Sequence, residues 1–306
     1  MRKVLNIAGL GEVLWDFYED ERFAGGAPAN FAFHATRCGA RGFLMSRVGQ
    51  DELGRSLMDH FKQAGVNITG VQTSPQKPTG TVRIHLDASG QPSFECSSDT
   101  AFDEMEMDTA WLKLINRLDV ILFGTLAQRA AASRQAIRAL LDHAKETVRI
   151  FDLNLRGWNA ATREIVEESL GRCRILKLNE TELQILIRAQ KAEHLKPEVF
   201  LRGLLRSCNI ELAAVTLGSR GCWLLTPDEE YRHPGYRVDV VDTTGCGDAF
   251  AAGLAWCYLH HESLEETAGY ANRIAAFVAT KKGATPVWNN SDLLNLDETE
   301  HGTTGR

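Results

Sequence analysis

The residues best equipped for chemistry lie between Asp239 and Ala255, in DVVDTTGCGDAFAAGLA. Asp242, Thr243 and Thr244 supply turn and cap side chains, and Gly245 and Gly247 let the backbone come close to a ligand. From Ala249 to Leu259 the residues are small or apolar on nearly every face, the pattern of a buried helix. A helix that starts in a glycine turn offers unpaired N–H groups and the positive end of its dipole, a seat for a phosphate or developing anion. Asp248 falls in the first turn, where its carboxylate is placed to take a proton from a hydroxyl held beside that seat. The amides of Gly245, Cys246 and Gly247 with that adjacent base make the equipment for phosphoryl transfer to an alcohol. The plainer alternative is that Asp248 only complements the helix dipole and the glycines only serve a tight turn.

The elements that must position this stretch are legible around it. An alternating apolar run reaching Val241 predicts a strand that ends inside the protein. At the other end of the chain, Val4–Gly11 predicts a buried strand and Val13–Tyr18 a second one. Gly9-Leu10-Gly11 hints at a dinucleotide fingerprint, but Leu14 fills the sixth position and no helix follows, so that reading is set aside. FAGGAPANFA, Phe23–Ala32, predicts a glycine turn entering a helix that runs to about Cys38, with Pro28 where helix starts tolerate it. Asn30 there offers a donor and an acceptor to a polyol, or else simply caps the helix.

Further strands are predicted at Phe43–Val48, Asp119–Phe123, Val148–Asp152, Ile175–Leu178, Leu212–Thr216 and Cys222–Thr226. Helices are predicted at Asp51–Ala64, Ala131–Ala144, Thr162–Leu170 and Leu264–Lys282. This alternation points to a mostly parallel sheet covered on both faces, with ligands at the carboxyl ends of its strands. TVRIHLDASGQPSFEC alternates differently. It reads as a hairpin turning at Asp87–Gln91, part of a sheet with one wet face. After about Asn289 the sequence is polar and without period, which predicts a frayed tail.

Composition narrows the classes. At 306 residues, 44% hydrophobic and 24% charged, the chain can bury a substantial core, and its net charge of −6 gives no support for nucleic acid binding. No run of about 18 uncharged apolar residues predicts a membrane span. Glu12 and Asp16 interrupt the first apolar stretch too early for a signal peptide. Seven cysteines without metal-site spacing suit a reducing compartment, so a cytoplasmic protein is expected.

Asp242-Thr243-Thr244-Gly245-Cys246-Gly247-Asp248 resembles the C-terminal signature of the ribokinase-like (PfkB) sugar kinases, D-T-x-G-A-G-D, with Cys246 in place of the usual Ala. GGAPANFA resembles the family's N-terminal GG-x-x-x-N-x-A turn. DLNLRGW (152–158), the N-x-x-E of Asn179 and Glu182, TLGSRG (216–221) and KKGATP (281–286) resemble further family elements in the right order. Singly, each also suits a loop, a cap or a solvated charge; Asn179 with Glu182 fits a capping box. GEVLWDF, GGAPANFAFH and DLNLRGW are most similar to bacterial fructokinases.

The resemblance implies a three-layer α/β/α ribokinase-like domain over 1–288, a small β lid at about 13–23 and 78–98, and a polar tail at 289–306. It implies an ATP-dependent kinase acting on the primary hydroxyl of a small sugar, D-fructose first. The alternatives are 2-keto-3-deoxygluconate, another hexose or a nucleoside, or a non-catalytic sugar sensor on the same fold. Sugar would rest on Asp16, Gly26, Asn30 and Arg156, and nucleotide on Asn179, Thr216, Gly218, Gly221 and Asn272. Magnesium would be held through water near Glu182, and potassium near Asp242, Thr244 and Gly283. A thiol at Cys246 implies sensitivity to alkylation, and family lids of this kind imply a homodimer.

Overall fold

The computed structural model describes residues 3–18, 21–86, 92–294 and 296. Its larger sheet begins with β1 (Asn6–Leu10). The chain then makes β2 (Leu14–Phe17) and β3 (Arg22–Gly25), enters α1 (Ala27–Arg37), and returns through β4 (Arg41–Gly49). Next come α2 (Glu52–Gln63), β5 (Asn67–Ser74), β6 (Gly80–Leu86) and β7 (Pro92–Cys96). The regular alternation follows: α3 (Thr109–Ile115), β8 (Val120–Gly124), α4 (Ala131–His143), β9 (Val148–Asp152), α5 (Ala160–Leu170), β10 (Ile175–Asn179), α6 (Glu180–Ala189) and α7 (Pro197–Cys208). The chain ends with β11 (Leu212–Thr216), β12 (Cys222–Leu225), β13 (Glu230–His233), α8 (Cys246–Leu259), α9 (Leu264–Ala279) and α10 (Asn290–Leu294).

The large sheet has the order β13-β12-β11-β10-β9-β8-β1-β4-β5, parallel from β11 through β5, with β12 and β13 antiparallel. Strand residues alternate between its faces. Ala8, Ile121, Phe151, Leu176 and Val215 enter a core against α3 to α7. Their neighbours Ile7, Leu122, Ile150, Ile175 and Ala214 enter a second core against α1, α8 and α9. This is the expected three-layer arrangement. α8 sits deep in it because it is apolar all round: Ala249, Phe250, Ala251, Ala252 and Leu254 are all buried. Close helix contact needs Gly253, where a Cβ would lie 2.9 Å from the Ala271 Cα of α9.

The second sheet, β3-β2-β6-β7, is the lid. β2 and β6 pair in parallel although 62 residues separate Phe17 and Gly80 in the chain. Asp51 roots it. Its carboxylate caps α2 at the Gly54 amide (2.7 Å) and accepts from the Thr79 amide (2.8 Å) and hydroxyl (2.7 Å), where the chain enters β6. The hairpin turn expected at Asp87–Gln91 lies outside the described residues.

Two expectations need correction. The run reaching Val241 is not a strand. The Val241 amide donates to Ala279 O at the end of α9 (2.8 Å), and Val240 and Val241 are 60% and 63% exposed. The Asp242 amide bonds the same carbonyl (3.2 Å), so the end of α9 holds this segment instead of a sheet ladder. The segment after Asn289 is not wholly a frayed tail either: α10 forms and its Leu293 is buried. Just before it, Trp288 is 2% exposed and donates its indole N–H to His34 Nδ1 (3.1 Å), while His34 Nε2 bonds Ala284 O (2.9 Å). β3, β5, β13, α3, α6 and α7 have no counterpart among the elements read from the sequence. Among the described residues no helix is long and apolar enough to cross a membrane.

β1 meets α1 closely: a Cβ on Gly9 would lie 1.9 Å from Pro28 O. Gly9→Val raises strand propensity yet drives side chain into backbone, so unfolding in urea should show a loss of about 3 kcal/mol or more.

Candidate active site

The parallel strands end on one side of the sheet, and a cleft of about 610 Å³ opens there under the lid. Two helices aim their amino ends into it. α1 begins at Gly26, whose φ is +104° and where a Cβ would lie 2.5 Å from Glu12 O, so no side chain fits. α8 begins at Gly245, with φ +78°, where a Cβ would lie 2.6 Å from the Ala284 backbone. Asp242 fixes this second start: its carboxylate accepts from the Thr244 amide and from the Gly283 amide, both at 2.9 Å. Chain segments about forty residues apart are thereby clasped beneath the helix mouth.

The two helix starts meet through side chains. Asn30 Nδ2 donates to Asp248 Oδ2 at 2.8 Å, both groups buried. Burial pushes the Asp248 carboxyl up to about 7; Lys177 pulls against that, Asp152 adds to it, and the Asn30 bond and Arg156 pull it down. Lys177 comes from β10 and Asp152 from the end of β9, paired in register, and the Lys177 ammonium donates to Asp152 Oδ2 at 2.8 Å. Their side chains are 9% and 1% exposed. Burial likewise raises Asp16 to about 6, with Arg156 opposing and Asp242 adding, and raises Glu12 to about 7. Three buried oxygens in this group, Glu12 Oε2, Asn30 Oδ1 and Asp152 Oδ1, have no protein partner. A ligand rich in hydroxyl donors would satisfy them.

The structure brings most of the expected site together. Asp16, Gly26, Asn30, Arg156 and Asp248 line one part of the cleft. Asn179, Glu182, Thr216, Thr244, Gly245 and Gly247 line the rest. Glu182 is more committed than expected. One oxygen accepts from the Leu155 amide and the other from Asn179 N, both at 2.8 Å, and Asn179 Oδ1 accepts from Glu182 N (2.9 Å), the capping box read from the sequence.

Other expected residues stand apart from the cleft lining. Asn272 is buried in α9 and donates to Ala268 O (2.8 Å) and Cys222 Sγ (3.0 Å), stapling α9 to β12. Gly218 and Gly221 shape the turn between β11 and β12; at Gly221 a Cβ would lie 2.0 Å from His233 O. Gly283 lines a smaller pocket behind the lid, beside Phe23 and Trp15. Cys246 occupies the helix mouth through its backbone, but burial, Asp242 and Asp248 push its thiol up to about 12. A thiol held that high is mostly protonated near neutrality, which weighs against ready reaction with an alkylating agent.

Sequence reading missed Lys177, Asp152 as its partner, Glu12 and Arg129. Arg129 grips Asp103 with two bonds of 2.7 Å and Ser97 O at 2.7 Å, tying the base of the lid to the cleft wall. Lys177 and Asp152 carried a signal. Each is a charge two residues beyond an apolar residue, Ile175 or Ile150, on the strand face that α8 covers.

Residues 8–290 match the sequence profile described as "pfkB family carbohydrate kinase". The chain belongs to that family. It is a sugar kinase, a phosphotransferase with an alcohol acceptor. Fructokinase-1 of Oryza sativa subsp. japonica is 32% identical over 279 residues, covering 86% of this chain and 84% of that protein. The crystal structure of an uncharacterized sugar kinase from Pyrococcus horikoshii, in complex with ATP, is 29% identical with a TM-score of 0.82, covering 95% of this chain and 98% of the other. A fructokinase double mutant from Vibrio cholerae O395, in fructose, ADP and potassium ion bound form, shares the fold at 24% identity and a TM-score of 0.82, covering 96% and 98%.

Asp152→Asn removes the partner of a buried ammonium. Chemical denaturation should register a loss of about 3–5 kcal/mol, the usual result of leaving one member of such a pair uncompensated.

Proposed function

We propose that this kinase transfers the γ-phosphoryl of ATP to the primary hydroxyl of D-fructose. The observation that carries the proposal is Asp248. It is buried at the mouth of α8, bonded to Asn30, and beside the amides of Gly245, Cys246 and Gly247. The fructokinase relatives support the sugar, and the ATP complex of the Pyrococcus relative supports the donor.

In this reading Asp16, Asn30 and the Gly26 backbone hold the sugar with its primary hydroxyl against Asp248. Asp248 accepts the hydroxyl proton as the new O–P bond forms and the bond to the bridging oxygen of the departing ADP breaks. The amides at the start of α8 take the charge that gathers on the moving phosphoryl. Asn179 and Thr216 face the nucleotide end of the cleft. Gly218 and Gly221 support that end by shaping the adjoining turn; for Asn272 the packing described above assigns a stapling role instead.

Magnesium, when bound, neutralises phosphate charge. Glu182 suits it through water, since each of its oxygens already accepts one amide and keeps a further lone pair. For potassium the residues that would hold it lie at the clasp made by Asp242, which brings the Thr244 and Gly283 segments side by side.

A panel of ketoses, aldoses, ketoacids and nucleosides, assayed by ADP release, tests the substrate. Fructose should be the preferred acceptor. Preference for 2-keto-3-deoxygluconate would instead give Arg156, exposed at the cleft edge, a carboxylate to bind. No turnover with any acceptor would leave the sensor reading.

The ionised form of Asp248 is the active one. Turnover should therefore fall as pH drops through about 7, where its raised value places the change. Asp248→Asn should bind sugar with little change and lose about 10²–10⁴-fold in kcat. A kcat near that of the parent would remove Asp248 from the mechanism.

A further inference from the structure

Lys177 is the only lysine or arginine that is buried among the described residues. It stands on β10 between Leu176 and Leu178, which turn to the opposite core, so its own side chain shares the face that packs under α8. A Cβ added to Gly247 would lie 2.9 Å from its Nζ, which places the ammonium against the first turn of α8. Asp152 takes one of its three hydrogens. The side chain lines the cleft, alongside Asp248, Gly245 and Gly247.

We propose that Lys177 is a catalytic residue: its ammonium donates to an oxygen of the phosphoryl group as that group passes from nucleotide to sugar. This rests on the kinase reading above and adds to it a full side-chain charge beside the backbone dipoles at the start of α8. The bond made and the bond broken are unchanged, and the proton still passes from the sugar hydroxyl to Asp248. Lys177 stays protonated throughout. Burial alone would lower its proton affinity, but Asp152, Asp248 and Glu182 hold it above the usual lysine range. Asp152 anchors the ammonium from β9 so that its remaining hydrogens face the helix mouth.

A purely structural role is the competing account, in which Lys177 only balances the carboxylates that face it. Those are Asp152 from β9, Asp248 from α8 and Glu182 from α6; Glu12, from the loop after β1, and the Arg156 guanidinium act on these carboxylates in turn. The two accounts separate experimentally. Lys177→Met should lose about 10²–10³-fold in kcat, the range for removing one donor from an anion site, with the sugar KM changed less than about threefold. Because the lost charge also favoured ionised Asp248, the acid limb of its kcat profile should move to higher pH. Lys177→Ala should regain turnover with added methylammonium or ethylammonium.

Where Lys177→Met folds poorly, the double variant Asp152→Asn/Lys177→Met removes both buried charges and should fold as the parent does. It should keep sugar affinity and the large kcat deficit. A double variant with turnover within about threefold of the parent, or an alanine variant indifferent to added amines, would overturn the role given to Lys177. Parent protein without ATP turnover would instead defeat the kinase reading itself.

Discussion

Four of the cleft's carboxylates and one ammonium are packed where water is scarce, and the rest of the site depends on that imbalance. Glu12, Asp16, Asp152 and Asp248 all reach toward a space whose buried cation is Lys177. Burial raises three of these acids, to about 7, 6 and 7 for Glu12, Asp16 and Asp248. A carboxyl poised near neutrality accepts a proton and gives it up again readily, which an ordinary surface aspartate does not do at that pH. The site therefore obtains its base from its own crowding. The amino ends of α1 and α8 add positive potential to the same space and make the crowding tolerable.

That arrangement requires a helix whose start can be placed in the middle of the protein. α8 meets the requirement because no face of it needs water. Its small side chains admit α1 on one side and α9 on the other. Glycine at 245 then allows the loop around Ala284 to lie against the helix mouth, and Asp242 holds that loop in place. The glycines recognised in the sequence thus have two duties, freeing amides for a ligand and making room for neighbouring chain.

Much of this was legible in the residues. The strand–helix rhythm gave the parallel sheet, and the one-sided alternation of TVRIHL gave the separate lid. The glycine turns before Ala27 and Cys246 located both helix mouths. What escaped notice did so for identifiable reasons. Val240 and Val241 have strand composition, yet the segment's amides pair with the end of α9, a distant partner that pattern alone does not supply. Trp288 and Leu293 find their burial against α9 and against α1, which lies at the far end of the chain. Asn272 is a polar residue satisfied within its own helix and by a distant thiol, so its type gave no hint of its task. Lys177 stays hidden in an apolar strand pattern, because its role shows only once the face it occupies is known.

The parallel pairing of β2 with β6 sets the order in which the molecule can assemble. Between those two strands lie β3, α1, β4, α2 and β5, and the Asp51–Thr79 bonds bring the far end back to them, so the pairing is expected to form after those pieces. Loop closure over that distance gains nothing until the intervening pieces are compact. The cover of the cleft is thus expected to arrive late in folding, on a platform that is already built. Opening it again would leave that platform intact, which suits a part whose task is to admit and release small molecules.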